Sequence, residues 1–176
     1  MALECGMIDP FAEGISRPGT VSYGLSSYGY DMRLSHGFKV FRGSGPIDPK
    51  SVSPGDFSDI ETDVLVMEPR SSALGRSVEY FRIPRDVITV SFGKSTYARC
   101  GIVVNVTPFE PEWEGFVTVS LINTNSFPAK IYAEEGIAQV IFLGAAEGCE
   151  RSYADKRGKY QAQQRITTAR VDGDAG

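Results

Sequence analysis

Hydrophobic and β-branched residues recur along this chain in short runs, at 38–41, 63–68, 86–92, 101–106, 115–122, 129–132 and 137–143. Several alternate apolar with polar positions, the period-two pattern of a half-buried strand. The segments at 43–46, 53–56, 83–85, 108–111, 126–128 and 135–136 each carry Gly, Pro or Ser and break the periodicity. Many short strands separated by turns predict an all-β fold, sandwich or barrel, rather than βαβ units.

One segment reads as helical. Over 95–101, Ser95 is placed to cap the N-terminus and Gly101 to supply a left-handed C-terminal residue, giving one or two turns. From about 147 to 176 the chain is polar and can bury little apolar surface alone. It reads as a mobile end or as a lid that orders over a ligand. No repeat or composition shift divides the chain, so residues 1–176 are expected to form a single domain.

Composition narrows the function. With 176 residues, the chain is long enough to bury a core without disulfides or a structural metal. Cys5, Cys100 and Cys149 are an odd, widely spaced set, which suits a reducing compartment. A net charge of −4 and no basic run argue against a nucleic-acid polymer as partner. No apolar stretch approaches the ~20 residues of a membrane span, and residues 1–12 lack a basic n-region, so a cytoplasmic protein is expected.

His36 is the only histidine, which removes most Ser-His and Cys-His nucleophilic arrangements and every multi-histidine metal site. A zinc deaminase is excluded too, because the chain has no Pro-Cys-x-x-Cys pair; any deamination would be zinc-independent. Gly93, Lys94 and Ser95 resemble the end of a P-loop, but Ile88 stands where that motif needs its first glycine. What survives is a glycine turn into a short helix, with Lys94, Ser95 and Arg99 as charge and donors, suited to phosphates or to a solvated surface. The glycine- and tyrosine-rich stretch 22–33 reads as an irregular β-segment. Lys159 and Gln163 in the tail are able to reach a polyanion if the segment folds over it.

Four blocks together resemble the dCTP deaminase family of the dUTPase-like superfamily: SYGLSSYGYD at 22–31, VEYFRIP at 78–84, GKSTYARCGIVVNVTPFEPEWEG at 93–115, and PAKIYA with EGIAQ over 128–139, followed by the tail from Tyr153 to Gln163. The resemblance implies a distorted, jelly-roll-like β-barrel with one or two short helices. It also implies homotrimers with active sites between subunits, dCTP as substrate, and Mg²⁺ carried on the triphosphate. By that resemblance Lys94, Ser95 and Arg99 lie near the phosphates and the reacting ring. Tyr153, Lys159 and Gln163 close over the triphosphate and sugar, while Trp113 and the loop from Thr107 to Glu114 shape the base pocket.

One departure shapes the functional expectation. Where the family's strand reads Val-Thr-Leu-Glu-Phe, this chain reads Val117, Thr118, Val119, Ser120, Leu121, so Ser120 stands at the position of the family's general base. A serine hydroxyl cannot carry that proton near neutral pH. Glu110 matches the position at which the superfamily's diphosphatases orient water, usually with Asp. The favoured reading is therefore a dCTP hydrolase releasing dCMP and diphosphate, with Glu110, Arg99 and the Ser120 position at its catalytic centre. Deamination of dCTP to dUTP and ammonia is the alternative, and a catalytically dead dCTP-binding regulator the second.

Overall fold

The computed structural model describes residues 5–171; residues 1–4 and the last five residues of the polar tail, 172–176, lie outside the described residues. The strands are β1 (Ile8–Asp9), β2 (Gly24–Leu25), β3 (Gly29–Phe41), β4 (Phe57–Glu61), β5 (Val64–Met67), β6 (Ser72–Arg82), β7 (Val87–Gly93), β8 (Ile102–Asn105), β9 (Glu114–Asn123), β10 (Ala129–Tyr132) and β11 (Gly136–Gly144). A single helical turn, α1 (Ser95–Ala98), links β7 to β8.

The main sheet runs β7-β11-β3-β6-β9-β8, with β1 on β6 and with β2 and β4 on β3; β10 and β5 form a separate pair. The two ends of the path approach one another, and a Cβ on Gly93 of β7 would lie 2.9 Å from the Val104 side chain of β8. The sheet therefore nearly closes into a barrel, as the strand pattern and the resemblance imply. Its interior is filled by Tyr30, Met32, Leu34, Phe38, Phe81, Val119, Leu121, Ile131, Ile137 and Val140, all at most 1% exposed.

Two central features differ from the hydrophobic pattern. Strand β6 was not among the apolar runs because its inward positions are Ala73, Gly75, Ser77, Glu79 and Phe81, small or polar except the last. The first half of β3 lies in the glycine-rich stretch, and its pairing shifts register between Leu34 and Phe38.

Glu79 is fully buried. Its Oε1 accepts from the Tyr30 hydroxyl at 3.1 Å and from Arg33 Nε at 2.8 Å, and its Oε2 from the Arg33 N–H at 2.9 Å. Burial pushes this carboxyl above the ordinary glutamate range, and the Arg33 hydrogen bonds pull it back. Burial also raises the Tyr30 phenol, so it stays a neutral donor.

The helical turn is shorter than the pattern predicts, and Ser95 is not its cap. The N-cap is Lys94, which makes no side-chain capping bond; its ammonium is drawn instead to Asp31 on β3. Gly101 has φ +72°, the left-handed conformation expected of it.

Candidate active site

Beyond β8 the chain turns through Thr107 to Trp113 before entering β9. Phe109 anchors this loop: its N–H donates to the buried Thr89 hydroxyl at 2.6 Å, and that hydroxyl donates back to the Phe109 carbonyl at 3.1 Å. The Phe109 ring packs between Phe81 and Trp113, with centroids 5.2 and 5.1 Å away. Trp113 is thereby fixed against the core while its indole edge faces the tail.

The tail folds back over this loop rather than projecting into solvent. The Tyr153 N–H donates to the Pro111 carbonyl at 2.9 Å, and Trp113 Nε1 donates to the Tyr160 carbonyl at 2.8 Å. Gln163 then pairs in parallel with Gly115, its carbonyl accepting from the Phe116 N–H at 2.9 Å. Gly158 is required by this closure, since a Cβ there would sit 2.2 Å from the Tyr153 ring. Arg85 pins the tail's start: it bonds the Cys149 and Glu150 carbonyls at 3.2 Å and meets Glu112 and Asp155 at 2.8 Å. The Ser152 N–H and the Arg85 guanidinium together hold the Asp155 carboxyl below the usual aspartate range.

Loop and tail enclose a cavity of about 680 Å³, within the size range of small-ligand sites. Six of the residues singled out from sequence line it: Thr107, Glu110, Trp113, Tyr153, Lys159 and Gln163. Leu74 and Thr118 form its floor on β6 and β9. Ser120 is not on the lining; it sits beside it, directly opposite Leu74 on β6 and Asn105 on β8 and on the same outward face as Thr118. Among the described residues Glu110 is the only acid on the lining, and its Oε2 accepts from Lys156 Nζ at 2.8 Å.

Lys94, Ser95 and Arg99 are not part of this cavity. Ser95 and Arg99 are exposed, and Lys94 is held by Asp31, whose other oxygen is buried with no hydrogen-bond partner among the described residues. His36 also lies elsewhere, with Nδ1 3.0 Å from Asp63 and Nε2 3.3 Å from Glu134. Among the described residues, no group of three or more His, Cys, Asp or Glu side chains converges to hold a metal, and no helix is long and apolar enough to cross a membrane.

Sequence reasoning missed Tyr160, Lys156 and Arg85. The bonds that tie them to loop and tail span 27 to 70 residues of chain, so no local spacing marks them.

A family profile described as "dCTP deaminase-like" matches residues 4–144. The dCTP deaminase of Paramagnetospirillum magneticum is 59% identical, covering 97% of this chain and 94% of its own. That of Acidobacterium capsulatum is 58% identical over 94% of this chain and 92% of its own. Among solved structures, the dCTP deaminase of Agrobacterium tumefaciens superposes with a TM-score of 0.60 at 15% identity, spanning 80% of this chain and 44% of that one. The native EIAV dUTPase superposes at 0.50 and 12% identity, over 82% and 94%. At such identities these two structures speak for the fold.

The curated relatives overturn the expectation of a hydrolase releasing dCMP and diphosphate. That expectation rested on Ser120 at the position of the family's general base and on Glu110 as the acid that orients water toward the phosphate, with no role for Glu110 in proton transfer to the base.

Proposed function

The chain belongs to the dCTP deaminase-like family, and from that premise we propose that it deaminates dCTP, converting dCTP and water into dUTP and ammonia. One observation carries the reading. Near-full-length identity to deaminases coincides with a cavity on which six residues of the family resemblance converge, from both the loop and the tail.

In this reading, the loop from Thr107 to Glu114 presents backbone groups to the cytosine edge and Trp113 walls the base pocket. Tyr153, Lys159 and Gln163 close over sugar and triphosphate, with Lys159 supplying positive charge. Mg²⁺ enters on the triphosphate and offsets its charge. Burying the nucleotide under the tail excludes bulk water and leaves one attacking water at C4.

Lys94, Ser95 and Arg99 act from a neighbouring subunit of a homotrimer. Two observations support this. The cluster is absent from the cavity of its own chain, and Val103 and Ile122, a cross-strand pair, expose apolar side chains on the face that carries Ser120. A second copy seated on that pair brings its own groups beside the cavity. We place the reaction in the cytoplasm, where the three unpaired cysteines stay reduced.

Incubating the protein with dCTP and Mg²⁺, with separation of nucleotides and assay of ammonia, tests the reading. Equal yields of dUTP and ammonia support it. Ser120 favours one second reading, a dCTP-binding protein without turnover, which would show thermal stabilisation by dCTP and no product.

A further inference from the structure

We infer that Glu110 is the proton-transfer residue of this deaminase, taking the place of a carboxylate at position 120. The inference rests on the deaminase reading and names the group that runs it.

The argument is one of elimination by partner. Four acids stand near the cavity in loop and tail. Glu112 and Asp155 are both taken by Arg85 at 2.8 Å, and Glu114 lies on β9 beside Arg82 at 4.0 Å. None of these three lines the cavity, whereas Glu110 does. The side chain of Glu110 is half-exposed at 44%, so its carboxylate is open to water as well as to a bound base. Among the described residues only Oε2 is hydrogen-bonded, by Lys156, which holds the carboxylate in one orientation and leaves Oε1 for a substrate water. The other polar side chains on β9 beside the cavity are the hydroxyls of Thr118 and Ser120, and Thr118 already accepts from the Thr167 N–H at 3.2 Å.

The step balances without any further reactant. Oε1 of Glu110 takes a proton from water as its oxygen bonds to C4, and the C4=N3 electron pair moves to N3, which receives that proton. Glu110 then takes the proton of the new C4 hydroxyl and delivers it to the exocyclic nitrogen as the C4–N bond breaks. Ammonia leaves with the bonding pair, C4 becomes a carbonyl, and Glu110 is a carboxylate again.

The test compares the whole protein with Glu110→Gln and Glu110→Asp variants, using dCTP and Mg²⁺. Three quantities are read: ammonia release from pH 5 to 9, dCTP binding by calorimetry, and the melting temperature. The inference predicts a loss of about 10²- to 10⁴-fold in ammonia release for Gln, with binding within a few-fold of the parent. It also predicts partial activity in Asp. A Gln variant that deaminates within a few-fold of the parent overturns it while leaving the deaminase reading intact. A parent protein that binds dCTP and releases no ammonia overturns both.

Discussion

The indole N–H of Trp113 donates to the backbone carbonyl of Tyr160 at 2.8 Å, bridging 47 residues of sequence. This single bond joins a wall of the cavity to the tail segment that folds over it. A net contribution of about 1 kcal/mol is typical of such a bond. Trp113→Phe keeps the apolar packing on Phe109 and removes the donor. KM for dCTP is expected to rise about 5-fold with little change in melting temperature, as steady-state kinetics and calorimetry will show.

Arg85 clamps the start of the tail through four partners, so Arg85→Ala is expected to release it. Limited proteolysis within 150–165 then accelerates at least about 10-fold, while the barrel remains resistant.

The same clamp sets a pH dependence. Asp155 titrates below its ordinary value of about 3.9 in the folded chain. Its contribution is fully present above that ordinary value and is lost as pH falls through the lowered folded one. Fluorescence of Trp113, the chain's only tryptophan, is expected to stay flat from pH 8 to about 4 and to change below that.

Buried Glu79 supports the barrel by accepting three hydrogen bonds, two of them from Arg33. Glutamine offers a single acceptor oxygen and no charge, leaving Arg33 with an unmatched donor. Glu79→Gln is expected to cost about 3 kcal/mol, lowering the melting temperature by roughly 10 °C in thermal unfolding.

The outward strands were legible where inward positions are hydrophobic, as on β9 with Val117, Val119 and Leu121. They were illegible on β6, where Gly75, Ser77 and Glu79 face inward and the polar ones are satisfied by partners distant in sequence, such as the Val117 N–H that donates to Ser77 Oγ. The site divides in the same way. Glu110, Trp113, Tyr153, Lys159 and Gln163 carry a recognisable motif and do meet at one cavity. The clamps by Arg85, Lys156 and Asp31 depend on tertiary approach, which no spacing encodes. Ser120 misled because Glu110, the carboxylate on the same cavity, was given to water attack at the phosphate rather than to proton transfer at the base.

Position 120 lies opposite Leu74 of the cavity lining, so an acid introduced there stands beside the pocket. Ser120→Glu is expected to raise the rate of ammonia release about 10-fold or more, since a positioned acid–base group typically contributes 10²- to 10⁴-fold. An unchanged rate in the ammonia assay would mean that position 120 no longer faces the reacting carbon.

The most direct test of the deaminase reading is to run the reaction with dCTP and Mg²⁺ in water enriched in oxygen-18 and to locate the label by mass spectrometry. Attack at C4 places one heavy oxygen on the pyrimidine ring of dUTP, with none on the phosphates, and that is the result expected here. Label on the phosphate of dCMP, with an unaltered cytosine, would contradict it.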